Sequence, residues 1–312
     1  MSERARRAPD FFIAGAPRCG TTALYEYLRL HPQIFMPHTK EPCHLCPDLD
    51  SGSEDDAVRF MRDADRYFAL FEGIPADGMA GEACVLYLYS TEAPRRIGEI
   101  SPRARIIVML RDPIEQVYSH HAARRAGGEE DLDFEAALDA EADRAAGRRL
   151  PRVARNLHMY QYREVARYSG PLAAYLDHFG TDRMRVMLLE EFSADPQAMY
   201  RATLEFLGVD PEFRPDFDIV NANRTAGGLI AGAARSTRLI TAAKAIVPRR
   251  WREPAARLGG RLLSSGSREQ PRPPMDPAIR RRLVDEFRPE VDRLSQLLGR
   301  DLTAIWPNYA AR

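Results

Sequence analysis

The sequence predicts an α/β fold, a central parallel sheet with helices packed on both faces. Three runs of residues carry that expectation. Arg105-Ile106-Ile107-Val108-Met109-Leu110 is apolar without a break after its first residue, the pattern of a strand buried on both faces. Phe11-Phe12-Ile13-Ala14 and Arg185-Val186-Met187-Leu188-Leu189 repeat that pattern near the N-terminus and beyond the middle. Helical periodicity follows each run within a few residues, as parallel βα units require.

The first run opens the stretch Asp10–Thr22, DFFIAGAPRCGTT, and a helix-like pattern with Leu24, Tyr27, Leu28 and Leu30 on one side follows it. Strand, glycine-bounded loop and helix N-terminus in that order make an anion site, because backbone N–H groups converge there and the helix dipole favours negative charge. Gly15 and Gly20 stand at the spacing of the P-loop, G-x-x-x-x-G-K-[ST], so the fold is expected to be P-loop-like. Thr21 occupies the place of the lysine, and the cation lies three places earlier, at Arg18. One guanidinium, two hydroxyls and several amides suit an anion less charged than a triphosphate, with no metal. The plainer alternative is a turn whose glycines serve geometry alone.

The second strand ends at Arg111-Asp112-Pro113, and IEQVYSHHAARR follows. Asp112 is a good N-cap and Pro113 suits the first helical position. Arg111 therefore stands at the carboxyl end of a central strand, where ligands bind in open α/β sheets. Ser119 lies eight residues on, about two helical turns.

These motifs resemble those of sulfotransferases that use 3′-phosphoadenosine 5′-phosphosulfate (PAPS), in particular the saccharide and heparan type. APRCGTT, then LYEYLRLHP, then KEP is similar to the family's 5′-phosphosulfate loop and its surroundings. The Arg111–Ser119 stretch is similar to the 3′-phosphate motif, with Gln116 in place of a frequent second arginine. The resemblance implies that Arg18 and the amides of Cys19, Gly20, Thr21 and Thr22 hold the 5′-phosphosulfate, and that Arg111 and Ser119 hold the 3′-phosphate. Glu41, in Lys40-Glu41-Pro42, is implied as general base, with His44 and His31 as runners-up. Transfer is then direct and in line to a hydroxyl or amine of a small-molecule or saccharide acceptor, without metal. Gly81, Glu82 and Tyr87 match a further family segment that lacks its usual Ser-Pro here; Glu82 is left open between an acceptor-site carboxylate and a partner of Arg18. Tyr168, Leu172, the Asp195-Pro196 to Gly208-Val209 phrase, Gly299-Arg300-Asp301-Leu302 and Trp306 extend the likeness to the C-terminus. In related enzymes a basic loop closes over the 3′-phosphate, a role open to Arg272 or Arg268.

Two rival readings stand beside this one. A Mg²⁺-dependent phosphotransferase needs a carboxylate at the end of a strand; Arg111 is the wrong residue, but the strand at 185–189 does run into Glu190-Glu191. A non-catalytic nucleotide-binding or membrane-peripheral module would instead use the basic C-terminal segment.

Composition narrows the choice. At 312 residues, 45% hydrophobic and 29% charged, the chain suits one globular α/β domain. A single domain over 1–312 is expected, with 221–272 a helical basic flap and loop. Between Arg235 and Arg272 there are 10 basic residues against Glu253 and Glu269. Over the whole chain 45 basic and 45 acidic residues cancel, which argues against nucleic acid as a partner. No apolar run reaches membrane-spanning length, although peripheral contact stays open, and the apolar stretch after MSERARRAPD is too short for a signal peptide core. The expected location is the cytoplasm. Cys43 and Cys46 have C-x-x-C spacing, but no second such pair completes a four-ligand zinc site, so no metal and reduced thiols are expected.

The other elements follow from periodicity. Residues 57–72 read as an amphipathic helix, 31–58 as a loop walling the cleft, and 128–147 as an acidic helix with a solvated face. Residues 160–179 read as helical with a break at Gly170-Pro171. A helix follows Asp195, and the C-terminal segment reads as one helix in two pieces.

Overall fold

The computed structural model describes residues 7–52, 60–75, 77–151, 156–217 and 273–310. Among the described residues five strands, β1 (Phe11–Ile13), β2 (Ile34–Phe35), β3 (Met79–Ala83), β4 (Arg105–Leu110) and β5 (Met184–Leu188), form one sheet in the order β2-β3-β1-β4-β5. Every pairing is parallel, with Phe11 beside Gly81 on one side and Arg105 on the other. The three long apolar runs are thus β1, β4 and β5, and β1 and β4 are fully buried apart from Arg105.

Parallel neighbours need crossovers, and right-handed crossovers leaving in opposite directions place their helices on opposite faces. The helix after β1, α1 (Thr21–Arg29), leads across β3 to β2; α4 (Pro113–Ala126), after β4, leads the other way to β5. A crevice therefore opens between the carboxyl ends of β1 and β4. Both basic motifs, Arg18 and Arg111, stand at its rim.

Several helices begin as their sequence signals predict. Asp112 caps α4 by accepting from Ile114 N (2.9 Å), with Pro113 first. Asp195 caps α10 (Pro196–Leu207), which ends at a left-handed Gly208.

Other boundaries differ for identifiable reasons. The 31–58 loop contains β2, too short to show a period. The helix expected over 57–72 is confined, among the described residues, to α2 (Ala64–Ala69), where Asp63 supplies the cap. Leu30 ends α1 and is half exposed rather than on its apolar side. The proline at 171 does not break a helix. It falls in the first turn of α8 (Ser169–Phe179), where a missing N–H costs nothing. Buried Glu290 accepts from Ser169 N (2.6 Å) and Oγ (2.8 Å), placing an anion at the positive end of that helix. Glu290 belongs to α11 (Pro277–Leu298), which runs through Pro289 without a break. Leu283, Phe287, Val291 and Leu294 pack its inner face and hold it helical across the proline.

The acidic stretch 128–147 is not one solvated helix. It forms α5 (Phe134–Asp139) and α6 (Glu141–Ala145), and it turns a charged pair inward. Arg144 bonds Glu130 through both terminal nitrogens (2.8 and 2.9 Å), with side-chain exposures of 1% and 0%, and Tyr162 donates to the same carboxylate (2.8 Å). Truncating one partner strands the other charge. Glu130→Ala is expected to lower the unfolding free energy by about 3–5 kcal/mol in urea titrations, and a loss below about 1 kcal/mol would show that the arginine finds another partner.

Candidate active site

The sheet leads directly into the loop. Ala14 N donates to Ile107 O (2.9 Å), Met109 N to Gly15 O (3.0 Å) and Ala16 N to Met109 O (2.7 Å), so the chain stays paired with β4 as far as Ala16. A Cβ at Gly15 would sit 2.7 Å from Leu88 Cβ, which leaves room for hydrogen alone. Gly20 has φ 90°, a backbone conformation that favours glycine, and a Cβ there would also press on Leu189 Cδ1 at 2.8 Å.

That turn delivers α1 without a side-chain cap. The amides of Gly20, Thr21 and Thr22 find no protein acceptor among the described residues and stand at the positive end of the helix. The Cys19 amide, assigned with them on sequence grounds, donates instead to Ala16 O (3.3 Å). Arg18 is held in the left-handed region (φ 64°), and its exposed guanidinium donates from Nε to Ser119 Oγ (3.2 Å). Ser119 accepts there and keeps its own O–H to donate.

The loop, α4 and the residues after β2 enclose a cleft of about 270 Å³, lined by Pro17, Arg18, Thr21, Thr22 and Glu41 among others. Glu41 stands on its wall in an ion pair with Lys40 (2.6 Å), both half-buried. Its amide is tied to Ala83 O at the end of β3 (2.8 Å), which holds it at φ 60°. His31 and His44 do not line the cleft. His31 Nδ1 accepts from Gln33 N (3.1 Å), so its Nε2 carries the proton and donates to Asp210 O (3.0 Å). His44 stacks on Tyr67 and bonds Met61 O (2.7 Å), and burial lowers its pKa.

Arg111 is 19% exposed at the tip of β4 and pairs weakly with Glu115 (3.7 Å), which also accepts from Arg280 (3.0 Å). It is not part of the cleft wall, yet it lies close enough to the loop to be the foremost cation acting on the Cys19 thiol, ahead of Arg18. Burial outweighs both arginines and pushes that thiol up to about 12, so Cys19 stays protonated at neutral pH and is no nucleophile. Arg272, Arg268 and the flap expected over 221–272 lie outside the described residues.

Glu82 does not hold Arg18. It is fully buried, accepts from Tyr67 Oη (2.5 Å), and burial raises its pKa to about 7. The acidic pair after β5 is also engaged in structure. Glu190 accepts from Asp112 N (3.0 Å) and Glu191 pairs with Arg300 (2.5 Å).

Sequence reasoning noted Gln116 only in place of an arginine and did not single out three further contributors. Gln116 Nε2 reaches Pro17 O (3.2 Å), while His120, Arg124 and Glu129 line the cleft, with Arg124 bonded to His120 (3.2 Å) and Glu129. Ser119 and His120 fall three and four residues after Gln116, and Arg124 four after His120, so they share one polar face of α4; that period was readable.

Asp112 gives this region a pH dependence. Burial is the main cause that raises its carboxyl to about 6, against bonds from Ile114 N and Asn308 Nδ2 (2.7 Å). A raised carboxyl pKa adds stability below its unfolded value of 3.8, and that stability is lost as pH climbs through about 6. Stability of the wild type measured from pH 4 to 7 should fall more steeply than that of Asp112→Asn, which keeps a capping oxygen. Parallel curves would contradict this.

The fold and loop define a class of protein. A model of the sulfotransferase family matches residues 9–214, and the chain belongs to that family. Among solved structures it is similar to a sulfotransferase from Alicyclobacillus acidocaldarius, with 29% identity, a TM-score of 0.72, and 96% of this chain covering 99% of that one. Among curated proteins, human bifunctional heparan sulfate N-deacetylase/N-sulfotransferase 3 is 28% identical over 218 residues, covering 66% of this chain and 23% of the relative. Human carbohydrate sulfotransferase 15 is 31% identical over 155 residues, covering 38% of this chain and 28% of the relative. The chain thus spans about a quarter of the length of these curated relatives. Neither rival reading, phosphotransferase or non-catalytic module, finds support in these likenesses. Among the described residues no helix is long and apolar enough to cross a membrane.

Proposed function

We propose that the chain transfers a sulfuryl group from PAPS to a hydroxyl or amine of an acceptor, a saccharide being the favoured class. The observation that carries the reading is the uncapped start of α1, with its unpartnered amides beneath Arg18 and a carboxylate, Glu41, across the same cleft. The acceptor oxygen or nitrogen attacks sulfur as Glu41 takes its proton. The bond from sulfur to the 5′-phosphate oxygen breaks, and adenosine 3′,5′-bisphosphate leaves as an anion. Arg18 cannot give up a proton, so it acts on the charge growing on that bridging oxygen through hydrogen bonding and field alone. Arg111 and Ser119 take the 3′-phosphate in this reading. No metal is needed for these steps. The relatives named for heparan sulfate and carbohydrate favour a saccharide, and the reduced cysteines fit a cytoplasmic setting.

Incubation with radiolabelled PAPS and a panel of saccharide, amine and small-molecule acceptors tests the reading. Label should appear on at least one hydroxyl or amine with EDTA present; transfer of phosphate from Mg·ATP instead would overturn it. Glu41→Gln should lower kcat about 10²–10⁴-fold with little change in KM for PAPS. A KM effect alone would reduce Glu41 to a binding residue.

A further inference from the structure

The thiols of Cys43, Cys46 and Cys84 take no part in the steps above. Cys43 and Cys46 lie in the loop after Glu41, and Cys84 follows the last residue of β3. All three are buried. Their sulfurs lie within 4.8 Å of one another, with Cys43 Sγ and Cys84 Sγ 3.5 Å apart. Thiolates around one tetrahedral zinc, at about 2.3 Å each, stand about 3.8 Å from each other, a spacing this cluster can meet with small side-chain shifts. The C-x-x-C pair, which lacked a partner along the sequence, thus gains its third thiol across space. Glu82 precedes Cys84 by two residues of extended chain and so points to the same side of it. Its Oε1 is buried and has no hydrogen-bond partner, while Tyr67 and Tyr87 lie within electrostatic reach of both Glu82 and Cys84.

We propose that Cys43, Cys46 and Cys84 form a structural site for one thiophilic cation of the zinc type. Loading sends one proton from each thiol to solvent as three metal–sulfur bonds form. The site lies directly behind the proposed base. Glu41 N bonds Ala83 O (2.8 Å), Cys43 Sγ bonds Glu41 O (3.3 Å), and Glu41 and Cys43 both hold left-handed backbone, at φ 60° and 55°. A cation joining Cys43 and Cys46 to Cys84 would clamp the Lys40–Glu41 corner to the end of β3.

The test uses the full chain, kept reduced, stripped with EDTA and titrated with cobalt(II). A thiolate-to-cobalt charge-transfer absorption should saturate at one cobalt per chain and vanish on addition of zinc. It should be lost in Cys84→Ser and in Cys46→Ser, and kept in Cys19→Ser. Circular dichroism checks that each variant is folded; should Cys84→Ser unfold, Cys46→Ser carries the comparison. No such band in folded wild type, or one that survives loss of the cluster's thiols, overturns the proposal. The readout is independent of sulfate transfer, so it stands or falls apart from the catalytic reading.

Discussion

Arg18→Ala is expected to lower kcat about 10³-fold while leaving thermal stability nearly unchanged. The side chain is exposed, so truncating it opens no cavity in the core and folding depends little on it. In the proposed transition state the demand is different, because negative charge gathers on the bridging oxygen beside the guanidinium. A single preorganised donor in such a place is worth about 10²–10³ in rate, and a cationic one more. Arg18→Lys should recover part of the loss, since an ammonium supplies the charge without the fork and can also release a proton. Single-turnover kinetics with saturating PAPS reads this directly. A fall in kcat of less than about threefold would show that the helix amides alone carry the leaving group.

Arg111→Ala should weaken adenosine 3′,5′-bisphosphate about 10²-fold and barely change affinity for adenosine 5′-phosphosulfate, which lacks the 3′-phosphate. Hydrogen bonds to charged groups contribute about 1.5–3 kcal/mol each, so loss of a bidentate pair accounts for that factor. The weak 3.7 Å pairing with Glu115 is easily exchanged for phosphate, because Glu115 keeps Arg280 at 3.0 Å. Calorimetric titration of both nucleotides separates the effects. Equal losses for the two would mean that Arg111 supports the glycine loop through its field and does not contact the 3′-phosphate.

What could be read from the sequence was local or periodic. Unbroken apolar runs located β1 and β4, buried on both faces beyond Arg105, and the edge strand β5, whose one polar residue is the half-buried Arg185. The spacing from Gly15 to Gly20 located the anion loop, because the positive φ at Gly20 and the contact of Gly15 with Leu88 leave glycine no substitute. Asp112 and Asp195 marked helix starts by the chemistry of orphan amides. The rest depended on contacts between distant residues. Glu130 and Arg144 look like a solvated acidic stretch until Tyr162 and the fold close over them. Nothing near Cys43 in the chain announces Cys84, which arrives through the pairing of β3 beside the loop. His31 and His44 suited a general base by type, but backbone carbonyls at 210 and 61 engage them. The places of His120 and Arg124 needed only the helical period carried on from Gln116 along the same face.

In the proposed function Arg18 and Arg111 grip one nucleotide at opposite ends without a divalent ion. Thermal unfolding of the wild type in EDTA, with and without adenosine 3′,5′-bisphosphate, tests it most directly. At about 100 times the dissociation constant the ligand should add about 2.7 kcal/mol of stability, and Arg111→Ala should remove most of that gain at the same concentration. Stabilisation that appears only with ATP and Mg²⁺, or that Arg111→Ala leaves intact, would contradict the account.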